Sequence, residues 1–254
     1  MKIRVLGAFG AEGVGQRPTA FLINDRILLD GGTVGAALTV PEQIAIEHAL
    51  VSHSHLDHVA GLAYLTETLA FSESPTPLTV TSMAPVVDAL RTSVFNNVVW
   101  PDFAGIPSAD RPVMKYRALV EEAEQRVGDL WVTPVAVSHT VPTTGYIIHD
   151  GATGFIFSGD TGPTQAIWKE GRSLRGLRAV MLECAYPDRM AALAAIAQHM
   201  TPALVQRELD KIPPDVPVWI YHIKPQFADE IGEQLSRVGG DRVTIMEQDK
   251  TYTL

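Results

Sequence analysis

The chain has 254 residues, 46% of them hydrophobic and 19% charged, and its 20 basic against 29 acidic residues leave a net charge of −9. That length supports one large core or two small ones, and the acidic balance disfavours a polyanion-binding surface, so no stable nucleic-acid partner is expected. The single cysteine, Cys184, excludes an intramolecular disulfide framework and a cysteine-rich zinc site.

The opening MKIRVLGAFGAEG alternates over Lys2–Leu6 and breaks at glycine, without the basic region, apolar stretch and cleavage site of a signal peptide. No apolar run reaches membrane-spanning length. The expectation is a cytoplasmic chain without a membrane partner, forming one domain over residues 1–254. Further β-rich runs occur at Ala20–Ile23, Arg26–Leu29, Ala49–Val51 and Leu78–Thr81. Helical patterns cover His58–Ala70, where Val59, Leu62, Leu65 and Leu69 share one face, and Ala84–Val94. Strands are expected next at Trp131–Val137, Gly145–Ile148, Phe155–Phe157 and Ala179–Leu182. Helices at Ala191–Gln198 and Pro202–Leu209, a strand at Val216–Tyr221, a helix at Phe227–Val238 and a strand near Arg242–Glu247 complete the chain. The class is α/β. Several early strands have no helix between them, so two sheets with helices outside them fit better than a doubly wound sheet.

Candidate ligands gather just beyond four of these strands, where loops on a rigid scaffold commonly carry function. SHSHLDH follows Val51, SHT follows Val137, SGDTGP follows Phe157 and YHIKP follows Ile220. Neighbouring imidazoles repel once protonated and lose hydration when buried, and a metal ion removes both objections. Capping aspartates and core histidines account for any one of these residues, but not for the set. Nitrogen and carboxylate donors without thiolates suit zinc first, with manganese or iron as alternatives, and seven donors exceed one tetrahedral shell. Two divalent ions are therefore expected. His53, His55 and His139 complete one site, Asp57, His58 and His222 the other, and Asp160 bridges them.

The H-x-H-x-D-H string with its separate loop histidines and aspartate resembles the metallo-β-lactamase fold superfamily, which implies a four-layer αβ/βα sandwich with a two-metal cleft. Within it HSHLDHVAGL, FNNVVWPDF, HTVPTTGYII, FSGDTGP, HMTPALVQREL and YHIKPQF resemble, in order, segments of the class II cyclic-nucleotide phosphodiesterases. That resemblance implies hydrolysis of 3′,5′-cyclic nucleotides such as cyclic AMP or GMP to 5′-monophosphates, by a hydroxide bridging two ions. Homodimers are frequent in the family, so one is expected here. Glu183 in LECAYPD and His199 in HMTP are similar to a proton-transfer pair of the ribonuclease Z branch, and with the ligand Asp57 they form the expected catalytic set. Thr201 and Pro202 also suit a helix start beside His199. Lys224 is a candidate for the cyclic phosphate, and Asn97 and Trp100 for the nucleotide, with Trp100 either stacking on the base or anchoring its proline-containing loop. Asp30 in LLDGG is expected to order the ligand loops through hydrogen bonds. A ribonuclease Z-like nuclease, a lactonase or thioesterase, and a non-enzymatic metal-binding module stay open beside this reading.

Overall fold

The computed structural model describes residues 1–72 and 76–254. Its first sheet is built from β1 (Lys2–Gly7), β2 (Ala20–Ile23), β3 (Ile27–Gly31), β4 (His48–Leu50) and β5 (Leu78–Met83), with α1 (Val40–Ile44), α2 (Leu56–Ala70) and α3 (Ala84–Ser93) between them. A two-stranded ladder, β6 (Pro107–Ser108) and β7 (Arg111–Pro112), leads into β8 (Met114–Leu119). The second sheet follows with β9 (Gln125–Val127), β10 (Leu130–Ala136), β11 (Thr144–His149), β12 (Gly154–Phe157), β13 (Leu177–Glu183), β14 (Val218–Tyr221) and β15 (Val243–Ile245). Around it run α4 (Ala166–Gly171), α5 (Ala191–Ala197), α6 (Pro202–Leu209) and α7 (Ala228–Leu235), and β16 (Thr251–Thr253) returns to pair with β1.

The strand orders are β16-β1-β2-β3-β4-β5-β8 and β15-β14-β13-β12-β11-β10-β9. Each sheet begins as an antiparallel meander and continues as a parallel set. Apolar side chains of the two sheets meet in one core, where Phe21 and Leu29 face Phe157, Tyr146 and Tyr221. A second core packs α2 and α3 on the first sheet, and a third packs α4, α6 and α7 on the second. The result is the expected four-layer αβ/βα sandwich.

Strand direction explains where the candidate ligands end up. Strands β3, β4 and β5 run parallel, so their C-terminal ends share one edge. Strands β10, β12, β13 and β14 likewise point one way, because two antiparallel steps separate β10 from β12. Cross-sheet bonds lock the two edges together: Tyr146 Oη donates to the Val51 carbonyl at 2.6 Å and Thr144 N–H to the Ser52 carbonyl at 2.9 Å.

Every expected strand and helix is present; Ala20–Ile23 and Pro202–Leu209 keep their expected bounds, and the others shift at one end or both. Helix α2 starts at Leu56 instead of His58, with His55 as N-cap, so Asp57 and His58 lie in its first turn. The strand expected from Val216 begins at Val218, since Val216 is in the turn before it. Among the described residues no helix is long and apolar enough to cross a membrane.

Candidate metal centre

His53 and His55 leave the end of β4, and Asp57 and His58 follow in α2. His139 comes from the loop after β10, Asp160 from that after β12, and His222 from that after β14. The structure brings all seven together. His53 Nε2 is 3.0 Å from His55 Nδ1, which is 3.3 Å from His139 Nε2. On the other side Asp160 Oδ2 is 3.0 Å from His222 Nε2 and 3.2 Å from His58 Nε2, and His222 Nε2 is 3.9 Å from Asp57 Oδ2. Asp160 also lies 3.7 Å from His53 Nε2, between the two groups. His53, His58, Asp160 and His222 are buried while His55, Asp57 and His139 are partly exposed, which leaves the cluster open on one side.

The outward hydrogen bonds decide which ring nitrogens carry protons. Asp30 Oδ2 accepts from Ser52 Oγ at 2.8 Å, so that hydroxyl has spent its proton and must accept from His53 Nδ1, 2.9 Å away. The same Oδ2 accepts from His58 Nδ1 at 2.7 Å. His139 Nδ1 donates to the Gln198 carbonyl at 3.2 Å. Thr19 Oγ1 donates to the Phe9 carbonyl at 3.1 Å and so accepts from His222 Nδ1 at 3.0 Å. With each Nδ1 protonated, a neutral ring presents a bare Nε2, and in all four cases that atom faces inward. Burial also pushes His53 well down and His139 down to about 4, which keeps both rings neutral at neutral pH. Burial disfavours a charged His58 too, but the flanking Asp160 and Asp30 carboxylates outweigh it and raise its pKa.

Beside this cluster stands a second arrangement. His199 Nδ1 lies 2.7 Å from Glu183 Oε1, and the Glu183 carboxylate is itself fixed by Thr161 N–H at 3.1 Å and Met200 N–H at 3.3 Å. A ring nitrogen of His199 comes within 4.8 Å of donor atoms on His139 and Asp160. Burial opposes protonation of His199, yet the Glu183 carboxylate raises its pKa on balance.

A family model described as "Beta-lactamase superfamily domain" matches residues 26–223. The chain belongs to the beta-lactamase superfamily. Among curated members it is 30% identical to a "Probable 3′,5′-cyclic-nucleotide phosphodiesterase" of Yersinia pestis, over 72% of this chain and 58% of that protein. It is 36% identical to a "Ribonuclease Z" of Halorubrum lacusprofundi over 32% of this chain and 28% of that one. The chain thus spans less than two thirds of the length of either relative. The fold of unliganded yeast PDE1 superposes with a TM-score of 0.83 at 18% identity, covering 100% of this chain and 99% of that one.

The beta-lactamase superfamily fold implies divalent ions, and the donors fit them. His58 Nε2, His222 Nε2 and Asp160 Oδ1 are buried without a hydrogen-bond partner, although the nitrogens stand at hydrogen-bond distance from Asp160 Oδ2. Buried polar atoms left in this way are costly unless something else satisfies them, and a cation between them does so.

Of the remaining expected residues Lys224 touches this superfamily centre, while Asn97 lines a separate pocket with Asp88, Arg91 and Asp102. Lys224 Nζ lies 3.6 Å from Asp57 Oδ2 and donates to the Gly10 carbonyl. Asn97, on the loop after α3, spends its side-chain carbonyl on Asp102 N–H at 3.0 Å. Trp100 packs edge-on against Tyr64, ring centroids 5.5 Å apart, so it stands behind Tyr64. Tyr64 itself joins Pro18, Val34, Leu56 and Asp57 in lining a cavity of about 610 Å³. Thr19, Ser52 and Gln198, which orient the histidines, were not among the residues singled out from sequence. A hydroxyl or carbonyl carries no sequence mark of such a role.

Proposed function

We propose that the chain is a metal-dependent phosphodiesterase that hydrolyses 3′,5′-cyclic nucleotides to 5′-nucleoside monophosphates, with zinc in both sites. The observation that carries this reading is the convergence of seven oxygen and nitrogen donors beside a carboxylate-paired histidine. The phosphodiesterase names of relatives support the substrate class. Two bound divalent ions would supply positive charge against the phosphoryl oxygens and acidify the attacking water from a pKa of ~15.7 towards ~7.

The chain's own residues do the rest. His53, His55 and His139 would hold one ion and Asp57, His58 and His222 the other, with Asp160 within reach of both. Attack at phosphorus expels the ribose O3′, a strongly basic leaving group that needs a proton. His199 supplies it from Nε2, since Nδ1 is held by Glu183, and that carboxylate favours the doubly protonated ring required for donation. Lys224 holds the Asp57 carboxylate in place and adds positive charge on the phosphate side. The cavity beside Asp57 gives the nucleoside an apolar wall and an aromatic face at Tyr64. A panel of cyclic AMP, cyclic GMP, pre-transfer RNA, a lactone and a β-lactam tests the proposal. Turnover of the cyclic nucleotides above all others is expected, and turnover of the lactone or transfer RNA alone would overturn it.

A further inference from the structure

His222 differs from the other candidate ligands in how it is held. It has a left-handed backbone, φ +67, which costs any residue with a Cβ energy and persists only when its surroundings impose it. They do so from the other sheet. The segment Ala8–Thr19, between β1 and β2, lies at the same edge as the end of β14 because β2 runs antiparallel to both β1 and β3. His222 N–H donates to the Ala8 carbonyl at 2.6 Å, Gly10 N–H donates to the Ile223 carbonyl at 3.0 Å, and Phe9 forms a β-bridge with Ile223. Lys224 Nζ donates to the Gly10 carbonyl. Thr19, fully buried, accepts from His222 Nδ1 at 3.0 Å.

Gly10 is the tightest point of this zipper. A Cβ added there would stand 2.7 Å from His222 Nε2 and 2.7 Å from the His222 carbonyl oxygen, closer than real Cβ atoms approach either. The glycine is needed for space, not for its own φ, and any side chain would press on the nitrogen that faces the cluster. Beside the other triad the second sheet bonds to the Val51 and Ser52 carbonyls and, among the described residues, not to the backbone of a ligand histidine of the first sheet. His53 is held through Ser52 and Asp30, and His139 by Gln198.

From this asymmetry we infer that Gly10 and Thr19 are positioning residues for one ion alone, the ion held by Asp57, His58 and His222. The first sheet thereby controls a ligand carried by the second. The inference rests on the two-ion reading above, and its test separates the two. Thr19→Val keeps the shape of the side chain and removes the acceptor, Thr19→Ser keeps the acceptor, and Gly10→Ala fills the gap.

Each protein is stripped of ions and reloaded with Zn²⁺; stoichiometry is read by atomic emission, stepwise affinity by competition with a chromophoric chelator, and folding by the melting of the ion-free form. The wild type should take up two ions. In Thr19→Val and Gly10→Ala one ion should bind as in the wild type and the other about 10- to 100-fold more weakly, the usual loss when a ligand's orienting partner is removed. Thr19→Ser should restore it. Two ions at wild-type affinity in both variants, or equal weakening of the two, would overturn the inference while leaving the two-ion reading intact. A wild type that takes up fewer than two would remove that reading and the inference with it. If Gly10→Ala fails to fold, the near-isosteric Thr19→Val pair decides the matter.

Discussion

Asp30→Asn changes one oxygen into an amide nitrogen at the point where both ligand groups are anchored. The carboxylate is fully buried and accepts three bonds: Ser52 N–H at 2.7 Å on Oδ1, and Ser52 Oγ–H at 2.8 Å and His58 Nδ1–H at 2.7 Å on Oδ2. An asparagine has one acceptor oxygen, so either orientation sets a donor against a donor. With the oxygen kept at the Oδ2 position, the amide faces Ser52 N–H and leaves it buried and unpaired, at ~1–3 kcal/mol. In the other orientation the amide faces His58 Nδ1, which can answer only by moving its proton to Nε2, the atom that faces Asp160. The melting temperature should fall by ~2–4 °C for each kcal/mol lost in a chain of this size. Zinc affinity, by chelator competition, should fall about 10- to 100-fold at the ion that His58 holds, with a smaller loss at the ion that His53 reaches through Ser52. Wild-type affinity at both ions in Asp30→Asn would refute the proton bookkeeping that gives each inward-facing nitrogen its lone pair.

His199→Ala should lower cyclic AMP turnover by about 10²- to 10⁴-fold, the usual range for losing general acid help, while bis(p-nitrophenyl) phosphate, with its weakly basic leaving group, loses much less at unchanged zinc content. Equal loss on both substrates would make His199 a binding or structural residue. Asp160→Ala removes the carboxylate that stands within 3.7 Å of nitrogens from both groups, so metal analysis should find fewer than two ions per chain; full occupancy would take Asp160 out of its bridging place. Tyr64→Ala should raise the KM for cyclic nucleotide about 5- to 100-fold at nearly constant kcat, reflecting ~1–3 kcal/mol of base stacking, and Trp100→Ala should act in the same direction more weakly; an unchanged KM in Tyr64→Ala would place the base elsewhere.

The seven donors were legible because their residue types are conspicuous and each follows an apolar strand. Their convergence follows from strand direction, which the apolar runs do not reveal by themselves. What the sequence hid was mainly non-local. Strand β16 is three residues of TYT that gain their partner only when the chain returns to β1, and β8 carries Lys115 and Arg117 on an edge strand whose alternation is blurred by charge. Helices α1 and α4, of five and six residues, are too short for a helical period to show. Thr19 reaches His222 across 203 positions, and no local pattern encodes such a contact. Trp100 was conspicuous as an aromatic, but its neighbour Tyr64, seven residues beyond Asp57 on α2, is the ring that lines the cavity.

The position of the phosphate on the product reports which bond the protein breaks. Zinc-loaded protein is incubated with cyclic AMP and cyclic GMP in ¹⁸O-labelled water, and the products are separated by chromatography and read by phosphorus NMR. Attack at phosphorus with His199 protonating O3′ predicts the 5′-monophosphate carrying the label on its phosphate. The 3′-monophosphate would place the leaving group at O5′, and no turnover beside rapid cleavage of a lactone would make the protein a carbon-centred hydrolase instead.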